Sequence, residues 1–172
     1  MEFTDVLDAR QIVTHLDVNS KDEVFNRLAD CFVETGVIDN KEQFIKDVYE
    51  REKIGVTGIG NYIAIPHGRS ESVKKPGVAI ALLDHEIEWE SLDDTGAKVV
   101  ILFAVGADDE GANEHLKLLA MFSKRLGNDA IIQRLFKANT VDDVMASFLE
   151  DEEENQEESE EADLDLDEIS IL

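Results

Sequence analysis

The chain is expected to fold as a single α/β domain, a small mixed β-sheet flanked by helices, with a disordered acidic C-terminal tail. Three observations lead there. Strand-like and helix-like segments are interleaved rather than grouped. Two runs, Val78 to Leu83 and Lys98 to Val105, are β-branched and mostly apolar over the length of a strand, the pattern of central strands covered on both faces. The 172 residues leave room for one domain with a real hydrophobic core and not for a second catalytic domain.

Ile12 to Val18 reads as a first strand. Asn19-Ser20 followed by Glu23 is a capping-box start for a helix from Lys21 to Glu34, and Gly36 ends it. Asn40 caps a second helix, with Phe44, Ile45 and Val48 inward, that runs to Arg51 or Glu52. The glycine-rich connection Gly55-Val56-Thr57-Gly58-Ile59-Gly60 then leads into Asn61-Tyr62-Ile63-Ala64-Ile65-Pro66-His67-Gly68-Arg69. Here Ile63 and Ile65 face one way and Tyr62 and Ala64 the other on a short buried strand, which Pro66 ends by removing a backbone donor. His67 is thereby expected to emerge exposed at the sheet edge. A polar loop with Trp89 and Asp93-Asp94 separates the two central strands. Three helical patterns follow: Glu114 to Leu126, with Leu116, Leu119, Ala120 and Phe122 at helical spacing; Asp129 to Lys137, with Ile132, Leu135 and Phe136; and Val141 to Leu149. Asn113 and Thr140 serve as N-caps and Gly127 as a stop.

Charge excludes one class of partner. With 40 acidic residues against 16 basic ones the formal charge is -24, and phosphate backbones would be repelled, so nucleic acid is not expected. Glu150 to Glu168 holds 13 of those acids and no base, a density that repels itself and cannot bury enough apolar surface to order. The domain is therefore placed at 1–150 and an acidic tail or linker at 151–172, with an acidic docking segment as the alternative reading. Cys31 is the only cysteine, which leaves no internal disulfide and no cysteine-based zinc site; with Val24, Leu28 and Phe32 it falls on one helical face as a small buried hydrophobe. No apolar stretch spans a membrane and the N-terminus lacks the features of a secretory signal, so the expected compartment is the cytoplasm with no direct membrane insertion.

Chemistry concentrates on histidine. Gly58-Ile59-Gly60 follows a helix and precedes a strand, the reverse of a phosphate cradle, and no Walker lysine pattern is present. Its glycines instead supply backbone freedom that brings Arg51 back near the His67 loop. His15 within the first strand and His85 beside Asp84 and Glu86 read as solvated positions. His115 opens a helix after a glycine-bearing loop, where a packed structural histidine is the ordinary alternative to a functional one. A phosphohistidine site needs a neutral imidazole, a partner that fixes its tautomer, and donors for the phosphoryl oxygens, roles that His67, His115 and Arg51 fill in turn. Zinc bound by the two histidines lacks the remaining ligands, and no Gly-x-Ser-x-Gly elbow supports a serine hydrolase.

The ordered series Arg51-Glu52, Thr57-Gly58-Ile59-Gly60, Ile63-Ala64-Ile65-Pro66-His67-Gly68-Arg69 and Asn113-Glu114-His115-Leu116-Lys117-Leu118-Leu119 resembles the enzyme IIA component of the bacterial sugar phosphotransferase system, fructose/mannitol type, over about Asp5 to Leu149. The resemblance implies a mixed sheet flanked by helices, and phosphorylation of His67 by the phosphocarrier protein HPr with onward transfer to a IIB component on a separate chain during sugar uptake. It implies His115 as the second active-site histidine, Arg51 as the phosphate stabiliser, Arg69 in a supporting role, and neither metal nor organic cofactor. The alternative within the same family is a nitrogen-type regulatory paralogue whose phosphorylation state controls binding to a target protein. Val56 departs from the family pattern, where many sugar-type members carry serine.

Overall fold

The computed structural model describes residues 1–149, so the acidic run expected as a tail at 151–172 lies outside the described residues. In chain order the elements are α1 (Phe3–Val6), β1 (Leu7–Leu16), α2 (Lys21–Thr35), α3 (Lys41–Glu52), β2 (Gly58–Gly60), β3 (Ile63–Ala64), β4 (His67–Arg69), β5 (Gly77–Ile87), β6 (Ala97–Val105), α4 (Asp109–Leu126), α5 (Asp129–Lys137) and α6 (Val141–Leu149). The sheet is mixed. Its order is β1-β5-β6-β3-β2, with β4 also beside β6; β1 runs parallel to β5, β5 antiparallel to β6, and both β3 and β4 parallel to β6.

Alternation along the strands builds two cores. On one face Ile63, Ile65, Val78, Ile80, Val99, Ile101 and Phe103 meet Phe3 of α1, Leu118 and Phe122 of α4, Leu135 of α5 and Phe148 of α6. On the other face Ala64, Ala79, Ala81 and Ala104 lie beneath α2 and α3. These small strand residues make space for Phe25, Leu28 and Phe32 of α2 and Phe44 of α3, all fully buried.

Several boundaries follow local chemistry as expected. Ser20 Oγ accepts from Glu23 N (3.3 Å) while Glu23 Oε2 accepts from Asn19 N (3.1 Å), and Gly36 closes α2 at φ 77°. Asn40 caps α3 through Gln43 N, and Thr140 caps α6 through Asp143 N. Other expectations need correction. β1 starts at Leu7, which pairs with Val78, and ends at Leu16, beside His15 at φ 53°. The glycine-rich connection contains β2, which pairs antiparallel with β3 through a turn with Asn61 and Tyr62 at φ 56° and 64°. α4 begins at Asp109, because Asp108 Oδ1 accepts from Gly111 N (2.8 Å); Asn113 lies inside the helix and is not its cap. The inward face of α4 is accordingly Leu118, Phe122 and Leu126, with Leu116 and Ala120 outside it, and Phe136 of α5 is exposed.

Candidate functional site

The site grows from one interruption in the sheet. Ile63 and Ala64 pair with Val99 and Val100, and His67, Gly68 and Arg69 pair with Phe103, Ala104 and Val105, so the register along β6 is the same before and after Pro66. Proline removes one donor from the ladder but leaves the path straight, and its carbonyl still accepts from Phe103 N (3.0 Å). His67 therefore opens a second strand rather than following the end of one, and it is buried, with 8% of its surface exposed, instead of lying open at the edge.

Alternation then separates the three residues of β4. The His67 ring stacks on Phe103 (centroids 5.4 Å apart, planes 7° apart). Gly68 faces α3, where a Cβ would fall on the Phe44 ring and within 2.8 Å of Val48 Cγ2, so a side chain here would force α3 to shift. Arg69 reaches over the β6–α4 connection and donates to the carbonyls of Gly106 (3.4 Å), Ala107 (3.1 Å) and Asp108 (3.1 Å), which anchors the start of α4.

His115 stands in the second turn of α4, edge-on to His67 with centroids 4.4 Å apart. Its Nε2 lies 3.1 Å from His67 Nδ1. Burial lowers the His67 pKa to about 3, with further contributions from His115 and Arg51; burial also lowers that of His115, reinforced by Arg69 and Arg51. Both rings are thus neutral at pH 7, and one donates its proton to the other. When His67 Nδ1 is the donor, the lone pair of His67 Nε2 is free.

Arg51, in the last turn of α3, and His67 line one cleft of about 410 Å³ together with Val56, Ile59, Leu119 and Ser123. The structure thus brings together all three candidate residues, His67, His115 and Arg51. His15 and His85 stand at the far ends of β1 and β5, beside Asp84 and Asp17. Among the described residues no group of three histidine, cysteine or carboxylate side chains could hold a metal ion. Cys31 is buried, and burial raises its pKa.

Sequence reasoning missed two supports. Phe103 sits in an apolar strand whose pattern gives no reason to single out one residue. Behind Arg51, Glu52 Oε1 accepts from Thr57 Oγ1 (2.6 Å), Thr57 Oγ1 accepts from Trp89 Nε1 (2.8 Å), and Lys21 Nζ donates to Glu52 Oε2 (2.7 Å) while lying 4.7 Å from the centre of the Trp89 ring. Glu52 and Thr57 fall within the motif series, but nothing in their spacing announces the contact with Trp89.

The fold and site define an α/β/α sandwich with a histidine pair, His67 buried and His115 half-buried, and an arginine at one end of a mixed sheet. A family model described as phosphoenolpyruvate-dependent sugar phosphotransferase system, EIIA 2, matches residues 5–151, and the chain belongs to that family. It is 31% identical to the PTS system 2-O-alpha-mannosyl-D-glycerate-specific EIIABC component of Escherichia coli, over 86% of this chain and 22% of that protein. It is 32% identical to the PTS system fructose-specific EIIA component of Haloferax volcanii, over 76% of this chain and 86% of the relative. It is 34% identical to a nitrogen regulatory protein of Bradyrhizobium diazoefficiens, over 78% and 86% respectively. The fold is shared with the nitrogen regulatory protein IIA-Ntr of Neisseria meningitidis, at TM-score 0.75 and 24% identity over 83% of this chain and 96% of that one. It is shared too with Escherichia coli enzyme IIA mannitol in complex with phosphorylated enzyme IIB mannitol, at TM-score 0.70 and 23% identity over 83% and 96%.

Proposed function

We propose that this chain is a phosphocarrier of the sugar phosphotransferase system, accepting a phosphoryl group on His67 from phospho-HPr and passing it to a IIB component on another chain. The observation that carries this reading is the His115 Nε2 to His67 Nδ1 contact at 3.1 Å. With His67 Nδ1–H as the donor to His115 Nε2, the contact occupies one ring nitrogen and leaves Nε2 as the nucleophile, on an imidazole that burial keeps neutral. As the Nε2–phosphorus bond forms, the bond from phosphorus to the donor breaks and its electron pair leaves with the donor. Positive charge builds on the His67 ring, and its Nδ1–H shares that charge with the neutral imidazole of His115. Arg51 supplies a planar, permanently charged fork for the phosphoryl oxygens, and positioning plus charge stabilisation is most of what such a transfer requires. Discharge to the IIB component runs the same steps in reverse.

A protein rather than a small molecule fits the rim of the site. Val56 and Ile59 at the cleft, Ile54 beside them and Leu116 next to His115 are exposed apolar side chains, and apolar surface ringing a reactive group marks a docking face. Among the described residues no helix is long and apolar enough to cross a membrane, so a membrane component would be contributed by another chain or segment.

The test is phosphorylation by purified phospho-HPr. One acid-labile, base-stable phosphate per chain is expected, with none on His67→Ala; wild-type labelling of that variant would sink the assignment. The 34% identity to a nitrogen regulatory protein favours a second reading, in which the phosphorylation state controls binding to a target protein. Onward transfer to a IIB component separates the two, since a purely regulatory chain would retain its phosphate in the presence of every IIB offered.

A further inference from the structure

We infer that Thr57 is a positioning residue for phosphoryl transfer: held by Trp89 and bonded to Glu52, it closes the loop that fixes the Arg51 guanidinium beside His67. This rests on the reading of His67 as acceptor and adds to it a residue that lines the same cleft but whose hydroxyl is bonded to Glu52 and Trp89.

The geometry is a short chain of contacts. Arg51 and Glu52 are the last two residues of α3, and the exposed segment from 53 to 56 follows before the chain turns into β2. The hydrogen bond from Thr57 Oγ1 to Glu52 Oε1 (2.6 Å) joins the two ends of that segment. Within it, Arg51 Nη1 donates to the Gly55 carbonyl (3.2 Å), so the position of the loop sets the position of the guanidinium. Thr57 is 4% exposed and Trp89 is 6% exposed, and the indole N–H reaches the threonine oxygen at 2.8 Å. The hydroxyl thus donates to Glu52 and accepts from Trp89, which holds it in one fixed orientation. Lys21 completes the cluster, bonded to Glu52 and Glu90 with its ammonium against the Trp89 ring. The Thr57 carbonyl accepts from Ile65 N (2.9 Å), two residues before His67, so one residue ties the arginine loop to the strand that carries the acceptor. Side chains that hold a reacting group's neighbours in place act on rate through geometry, and small misplacements are costly.

The experiment compares single-turnover phosphorylation by phospho-HPr in wild type, Thr57→Val, Thr57→Ser, Arg51→Ala and the Arg51→Ala/Thr57→Val double variant. Thr57→Val keeps the shape and loses the hydroxyl. It is expected to lower the maximal rate about tenfold without changing the half-saturating donor concentration, whereas Thr57→Ser stays within about twofold of wild type. Because Thr57 acts through Arg51, adding Thr57→Val to Arg51→Ala should cause little further loss. The proposal is overturned if Thr57→Val transfers within about twofold of wild type, if its defect lies in donor half-saturation, or if it slows Arg51→Ala as much as it slows wild type. Trp89 is the only tryptophan, so its emission reports whether each variant keeps the cluster folded. If Thr57→Val does not fold, Trp89→Phe removes the indole donor alone and is expected to slow transfer about threefold; an unchanged rate then overturns the proposal. A wild-type chain that accepts no phosphate defeats the acceptor reading itself, a result distinct from all of these.

Discussion

His115 Nε2 lies 3.1 Å from Nδ1 of His67, between a ring on the second turn of α4 and a ring that opens β4. The pair is the point where two separate parts of the chain engage one ring nitrogen of His67, which in the proposed transfer leaves the other to react. Removing the partner should therefore slow acceptance without abolishing it: His115→Ala is expected to lower the transfer rate by about a hundredfold, the scale of a lost positioned proton partner. His115→Gln, which retains a polar group at the right height, should recover part of that loss in the same assay.

The protonation of His67 predicts a dependence of stability on pH. Its folded pKa of about 3 lies below the unfolded value of 6.5. The unfolded chain thus binds a proton first as pH falls. The stabilisation associated with neutral His67 is present above about pH 6.5 and is lost progressively as pH falls toward 3. Between about pH 7 and about pH 4.5 wild type should lose roughly 2 to 3 kcal/mol from this group, a loss absent from His67→Gln. Urea unfolding of both proteins at the two pH values measures the difference, and equal losses would contradict the shift.

Arg51 provides the charge for the phosphoryl oxygens in the proposed transfer. Arg51→Ala is expected to lower the maximal rate by about a hundredfold, and Arg51→Lys to recover only part, because a lysine keeps the charge but not the bidentate fork. Rapid-quench measurement of labelled chain against donor concentration checks this, with the loss in maximal rate as the expected signature.

Gly68 tests the packing behind the site. Its missing Cβ is the space taken by Phe44 and Val48 of α3. Gly68→Ala should cost about 1 to 3 kcal/mol through overpacking, visible as a lower urea midpoint with an unchanged slope. A stability equal to wild type would mean that α3 moves away freely.

Much of this architecture is written locally. Ser20, Gly36, Asn40 and Thr140 mark helix ends through bonds between near neighbours, and the apolar runs of β5 and β6 identify the sheet centre. The start of α4 is harder to read because Asp108 and Asn113 are both good caps and Gly111 between them resembles a break. In the fold Gly111 lies in the first turn because its Cα packs against Gly106, where a side chain would collide. That collision depends on a contact between the β6–α4 connection and the first turn of α4, and no periodicity encodes it.

The sequence by itself determined the chemistry available: two neutral-capable histidines, an arginine at a helix end and a proline that interrupts a strand. Local residue types and spacings are enough for that. Only the tertiary structure decided that His67 is buried on Phe103 with its register unbroken across Pro66, that His115 reaches Nδ1 rather than Nε2, and that Thr57 bonds both Glu52, next to Arg51, and Ile65, two residues before His67. These depend on pairings between residues far apart in the chain, whose positions are set by the sheet register and the packing of α3 and α4 on its two faces.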